Sequence, residues 1–459
     1  MNLEQLRKQA KELVRGARAG DAAALARLGD LPVRLSSAQL VLAREHGHRS
    51  WPALVHALEA TVESFVVAAT DGRCERARRL LEARPEIADD PWAALVLGRG
   101  WEGDVHVPGG PRGWAPILYV AHSCFAPAGL LRELLSRGAD PNATFTNEFG
   151  EMSAVYGAAG VVHDVEMTRV LLEAGAVPDD GESVYHSTEA DDPACLRLLL
   201  EHGANPNETA GLAHAVDGDR DEFVRLLLAH GADVNEGDAA LVNHAVRRGC
   251  SLEMIRLLVD AGGELDRRGG EWSTKPEDYR TAYQNAVLRS RDDVMALLEE
   301  RGASTDVSAE DRAVAALARG EEPATPLPTR LAPDQEEVLI LAALRGRLEA
   351  IAGALGADFF GHVGGGPPGT LLHHACWVAK PDVVRALLER GADVHARSGE
   401  RRDGGTPMFW TALASQYHEL PNRDFVGVAE LLLAAGGELE PRMAEVAQGP
   451  LADWLEERL

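Results

Sequence analysis

The sequence predicts an all-α repeat solenoid of about ten helix-turn-helix units with short or trimmed hairpin fingers, behind a small helical N-terminal unit. Three observations carry this. A Leu-Leu-x-x-Gly-Ala phrase recurs along most of the chain, and a second short helical segment can be placed upstream of every copy. Ala and Leu are abundant while aromatic residues make up only 5%, a balance that favours helices packed closely through small side chains. A chain of 459 residues is long enough for two or three ordinary domains, but a recurring phrase argues for one continuous array.

The phrase reads LLSRGAD at 134, LLEAGAV at 171, LLEHGAN at 199, LLAHGAD at 227, LVDAGGE at 258, LLERGAD at 387 and LLAAGGE at 432, with looser copies LLEERGAS at 297 and ALGADF at 354. Each Leu pair closes a short amphipathic helix. The Gly just after it suits a left-handed C-terminal cap. Aligned on that Gly, TLLHHACWVAKPDVVRALLERGAD (370–393), ESVYHSTEADDPACLRLLLEHGAN (182–205) and AGLAHAVDGDRDEFVRLLLAHGAD (210–233) match without a gap. Each holds a short helix, a turn, and a second helix ending in the Leu pair. A polar connector such as ADVNEGD follows and can form a finger.

The unit resembles the ankyrin repeat, whose signature is T-P-L-H-x-A with a downstream V-V-x-x-L-L-x-x-G-A-D-V-N. Thr370, Leu372, His373 and Ala375, then Val383, Val384, Leu387, Leu388, Gly391, Ala392, Asp393 and Val394, match it one by one. Leu371 replaces the motif Pro, while Thr406-Pro407 and Ala115-Pro116 keep it in other copies. The anchor glycines 138, 175, 203, 231, 262, 302, 356, 391 and 436 are separated by 37, 28, 28, 31, 40, 54, 35 and 45 residues. The ankyrin period is about 33, so the short steps imply trimmed fingers. The long ones imply insertions near 269–280, 306–335 and 415–424. Residues 65–90 read as an opening repeat and 444–459 as a polar closing helix, giving a repeat array over 65–459.

Residues 1–64 lack the repeat and read as a separate helical N-terminal unit. Asp21 can cap one helix, Ser36 with Gln39 fits a capping box, and Ser50 precedes Trp51-Pro52 at another helix start. Such a segment, with LAREHG and SWPAL, resembles those preceding the repeats of uncharacterised bacterial ankyrin repeat proteins. That resemblance implies a fold and no particular activity.

The formal charge is −26 and unevenly spread. Residues 1–60 carry nine Lys/Arg against six Asp/Glu, a net of +3, whereas 140–240 carry four Arg against twenty-one Asp/Glu, a net of −17. An acidic centre argues against direct nucleic-acid binding, which needs clustered Lys/Arg, and suits a basic protein partner. No window approaches the ~18 apolar residues of a membrane span, so a cytoplasmic monomer is expected, without cofactors. Cys74, Cys124, Cys195, Cys250 and Cys376 are odd in number, at least 50 residues apart and without a CxxC pair. They are expected as reduced thiols, with the Asn142-Ala-Thr and Asn207-Glu-Thr sequons unglycosylated.

Several constellations could carry chemistry. The x position of T-P-L-H-x-A reads Tyr119, Ala158, His186, His214, His244, Asn285, Leu341, His374 and Trp410. Three stacked imidazoles span on the order of 20 Å at a helix spacing of ~8 to 10 Å, whereas zinc holds each nitrogen at about 2 Å. One metal ion shared by His186, His214 and His244 is therefore excluded. Cys124 beside His122 and Cys376 beside His374 sit two residues apart, a spacing that does not bring base to thiol on a helix. GHVGGGPPGT (361–370) lacks the Lys of a phosphate loop, and Asp179-Asp180 and Asp191-Asp192 lack the calcium-loop pattern.

No catalytic, cofactor or metal residue is assigned. The expected function is non-catalytic binding of a partner protein through the concave surface, with residues 153–240 favouring a basic segment. Candidate partner-binding residues are Tyr119, Tyr156, Tyr185 and Trp410, of the types that dominate interface energies, and His186, His214, His244 and His374 of the shared motif column. The alternative is an enzyme or small-molecule binder with a site formed by the His column and the long inserts. A third reading has the acidic centre imitating nucleic acid on a basic protein.

Overall fold

The computed structural model describes residues 3–459 except 149, 208, 238–239, 270–278, 364–367, 399–404, 418–421, 441, 457 and 459. Helices dominate the described residues. Two antiparallel hairpins, Thr144–Asn147 with Gly150–Ser153 and Phe360–Gly361 with Gly369–Thr370, form fingers between helix pairs. The chain divides into two compact units, 1–33 with 37–236, and 237–459 with 34–36.

One local device closes the repeats in both units. The nine anchor glycines all lie at φ between 82° and 95°, the left-handed region that side chains with a Cβ resist. The turn lets the amide after the Gly donate back to the carbonyl of a phrase leucine. Ala139 donates to Leu134 (3.0 Å), Ala176 to Leu171 (3.0 Å), Ala204 to Leu199 (3.0 Å), Ala232 to Leu227 (3.0 Å) and Ala392 to Leu387 (3.1 Å). Those same leucines are completely buried, as are Leu258, Leu298 and Leu432. Core packing and chain reversal are thus set by one residue per repeat.

The connectors then tie neighbours together. Asn142 accepts from the Val177 amide (2.8 Å) and donates to Gly175 O (3.2 Å), and Asn207 accepts from the Asp233 amide (2.8 Å) and donates to Gly231 O (3.1 Å). Asp266 accepts from Ser304 N and Asp358 from Asp393 N, both at 2.9 Å. In each case a side chain two or four residues past one anchor Gly holds the backbone two residues past the next. The side-chain amides of both sequon asparagines are engaged in these bonds.

In the first unit the helices Leu3–Arg18 and Ala22–Leu28 precede the opening pair Val62–Thr70 and Cys74–Ala83. Asp21 caps as expected, accepting from Ala23 N (2.8 Å) and Ala24 N (3.0 Å). The Ser36 capping box does not form. The helix already begins at Leu35, so Ser36 lies within it and its hydroxyl is buried without a partner. The helix Trp51–Glu59 starts where Ser50-Trp51-Pro52 placed it.

Two further expectations are corrected. Cys74 and Cys124 are not free thiols but form a disulfide, their Cα atoms 5.6 Å apart. The Cys124 amide bonds to Ala69 O (3.1 Å), which draws its loop onto the turn before Cys74. Sequence spacing could not show this proximity. A disulfide belongs to oxidising surroundings, so cysteine usage no longer supports a cytoplasmic location. The closing helix is two short ones, Met443–Val446 and Gly449–Glu456, broken where Ala447 is extended and Gln448 N bonds Ser415 Oγ (2.8 Å).

The second unit also departs from regular spacing. Part of the 306–335 insert is the helix Ala309–Arg319, which packs between Ala282–Leu288 and Pro333–Ala342. Most of the insert expected at 269–280, and residues 418–421 of the one at 415–424, lie outside the described residues. Buried charges join these helices. Arg247 Nε lies 2.7 Å from Asp334 Oδ1 without hydrogen-bond alignment, Arg289 reaches Glu337 (2.9 Å) and Arg280 reaches Asp311 (3.0 Å). Asn285, of the x column, is fully buried and donates to Asn243 (3.0 Å) and Asp334 (3.2 Å).

Two stability outcomes follow from this construction. Gly203→Ala meets no atom within 4 Å, so its cost is backbone strain alone and should be about 1 kcal/mol in a urea titration; no change would contradict the left-handed closure. Reducing the Cys74–Cys124 bond, which spans 50 residues, should lower stability by about 4 kcal/mol on loop entropy. Free thiols at both positions in protein purified under air would contradict the pairing.

Candidate functional site

A row of aromatic rings crosses the first unit, one or two from each inner helix or finger. Trp114 precedes the helix Pro116–Ala121, His122 ends it, Phe145 comes from the hairpin, and Tyr156 from Ala154–Tyr156. Tyr185 and His186 lie on Ser183–Ser187, and His214 on Gly211–Asp217. Ring centroids are 4.0 Å apart for Trp114–Phe145, 5.1 Å for Trp114–His122, 5.9 Å for His122–Tyr156, 5.3 Å for Tyr156–His186 and 4.5 Å for Tyr185–His214. Two glycines permit this approach. A Cβ on Gly157 would lie 2.3 Å from His122 Nδ1, and one on Gly160 would lie 2.9 Å from His186 Cβ and 3.0 Å from the Tyr156 ring.

Four of the candidate residues meet here, and all four are half-buried: Tyr156, Tyr185, His186 and His214. Carboxylates border them. His186 sits between Glu182 (3.5 Å), which precedes its helix, and Glu189 (3.3 Å), which follows it. Hydrogen bonding to Glu189 raises the His186 pKa, and the same bond lowers that of Glu189. Burial, then the charges of Glu182, Glu189, Asp71 and Asp180, raises that of Tyr156. Asp71 pairs with Arg112, and Asp180 accepts from Ser153 and Ser183 hydroxyls.

His122 differs from these. It is 1% exposed, and burial depresses its pKa to about 4, leaving it neutral. Nδ1–H donates to Leu118 O (2.9 Å), so Nε2 is an acceptor, and it has no hydrogen-bond partner. A buried orphan acceptor is costly.

The other four candidates are buried and cannot offer a surface. Tyr119 is fully enclosed, its hydroxyl donating to Gly109 O (2.8 Å) and accepting from Arg112 N (2.8 Å). His244 is buried in the second unit. His374 is held through Nε2 to Gly361 O (3.1 Å), and Trp410 donates to Ser398 Oγ (2.8 Å), their rings 5.4 Å apart. His373, at the family's motif position, bonds Thr370 through Nδ1 (2.8 Å) and Gly405 O through Nε2 (3.1 Å). Burial pushes the Cys376 thiol up to about 12 and the Cys195 thiol to about 11, so neither is a nucleophile near neutrality.

Sequence reasoning missed Trp114, Phe145, Glu182 and Glu189, and weighed His122 only as a base for Cys124. The glutamates were findable, since they stand four before and three after His186, the spacing at which helical neighbours meet. Trp114 and Phe145 lie outside the repeat frame and carry no such signal. Among the described residues no group of three metal-ligating side chains occurs, and no helix is long and apolar enough to cross a membrane.

The ankyrin repeat family matches residues 370–399. That match covers one repeat, and the same helix pair and positive-φ glycine recur through both units. No curated protein matches it. Among solved structures, the ankyrin repeat domain of Bcl-3, described as a unique member of the IkappaB protein family, is similar over 47% of this chain and 87% of that one, at 22% identity and a TM-score of 0.33.

The buried histidines set an acid limit. His122 and His373 take a proton in the folded state only at about 4, against 6.5 when unfolded. Protonation of the unfolded chain therefore draws stability away as pH falls from 6.5 toward 4, by on the order of 3 kcal/mol for each histidine. His186 has the opposite sign: its raised pKa gives stability that is full below 6.5 and lost as pH rises through the folded value. Urea midpoints should fall in acid, and His122→Phe should remove part of that slope; an unchanged slope would contradict its burial as a neutral ring.

Proposed function

We propose that this chain is a non-catalytic scaffold that binds a basic segment of a partner protein through the inner-helix face of residues 153–240. Ankyrin repeats generally mediate protein–protein interaction, and their stacked helices present long binding surfaces. The observation that carries this reading is the half-exposed row Tyr156, His186, Tyr185 and His214, flanked by Glu182 and Glu189. It lies within a stretch of net charge −17, four Arg against twenty-one Asp/Glu over 140–240. Rigid rings supply contact area at little entropic cost, and surrounding carboxylates select a cationic partner and speed its approach.

Capture from native lysate on the immobilised chain tests this. A stoichiometric protein should be retained at low salt and released by 1 M salt, where the Debye length shrinks to about 3 Å. Recovery of no such protein, or a complex indifferent to 1 M salt, would contradict the acidic-face reading.

A further inference from the structure

The ring row has a feature that an acidic surface alone does not explain. Most of the acidic stretch is solvated, but Glu182 and Glu189 converge on one imidazole between two tyrosine rings, with Tyr156–His186 at 5.3 Å and Tyr185–His186 at 4.9 Å. Behind Tyr156, at 5.9 Å, lies His122, which is buried and out of a partner's reach. Half-exposed rings and carboxylates favour the same chemistry, a cation.

We propose that a lysine or arginine side chain of the partner segment seats against the rings of Tyr156 and Tyr185 between Glu182 and Glu189, and that protonation of His186 opposes it. This deepens the basic-segment reading and rests on it. The groups around His186 are Tyr185 on its own helix, Glu182 and Glu189 just outside that helix's two ends, and Tyr156 from the preceding repeat, with His214 of the following one against Tyr185; His163 and His214 also act on Glu189. Together with Glu182 and Glu189, protonated His186 gives a charge of −1 and neutral His186 gives −2. Glu189 holds the proton on His186 to a higher pH than usual, so binding strengthens as pH rises above 6.5.

Fluorescein-labelled hexalysine amide, followed by anisotropy at pH 6, 7 and 8 in low salt, tests the site on the full chain. Wild-type affinity should increase with pH. Tyr156→Ala and Tyr185→Ala should each weaken it about two- to fivefold, the range for a cation over a partly exposed ring. Tyr156→Phe and Tyr185→Phe should retain it, which also guards against loss through misfolding. Glu182→Gln with Glu189→Gln should weaken binding at pH 8, and His186→Asn should remove most of the pH slope. Hexalysine binding that is untouched by the Ala and Gln variants would overturn this site while leaving a basic segment bound elsewhere on the acidic face. A pH slope that survives His186→Asn would overturn the histidine's role. No hexalysine binding at any pH would overturn both the site and the basic-segment reading.

Discussion

The structure depends on one closure, repeated eight times among the described residues, a left-handed glycine whose following amide bonds back to a buried leucine. Helices of eight or nine residues, such as Ala194–Glu201 and Asp221–Ala229, are too short to be stable alone. They persist because the glycine turn satisfies a terminal carbonyl while the leucine beneath it joins the core. Connector side chains such as Asn207 then carry that order to the next repeat through backbone bonds. Because each repeat contacts mainly its neighbours, stability accumulates along the array.

That periodicity is also what builds the ring row. Once successive inner helices hold a common register, residues at one motif position stand in line, and His186 and His214 do so on consecutive repeats. Local departures give the row its character. Gly157 and Gly160 let His122, Tyr156 and His186 approach where any side chain would collide. Glu182 and Glu189 then give a half-exposed imidazole two competing carboxylates. In the second unit the x column is spent on packing: Asn285 is buried against Asp334, and His374 and Trp410 are fixed by hydrogen bonds.

The repeat was legible because its determinants are local. A Leu pair, a Gly four residues beyond the first leucine in most copies, and a polar connector can all be read from spacing, and the buried leucines and glycine torsions follow it. TLLHHACWVAK reads as scaffold in both sequence and structure, with Thr370 capping and His373 bridging to Gly405. What was not legible depends on approach through space. The Cys74–Cys124 pairing needed the Ala69 contact, and the burial of Tyr119 needed the loop at Gly109 and Arg112. The helix Ala309–Arg319 escaped because no Leu-Leu-x-x-Gly phrase marks it. One motif column therefore yielded both surface and core residues, a distinction that only neighbouring elements impose.

Amide hydrogen exchange of the full chain, alone and with its recovered partner, tests the assignment of the binding face most directly. Added protection should fall on 154–161, 183–189 and 211–217, the segments that carry or adjoin Tyr156, Tyr185, His186 and His214. Protection confined to 306–335 and 415–424, with those three segments unchanged, would contradict it.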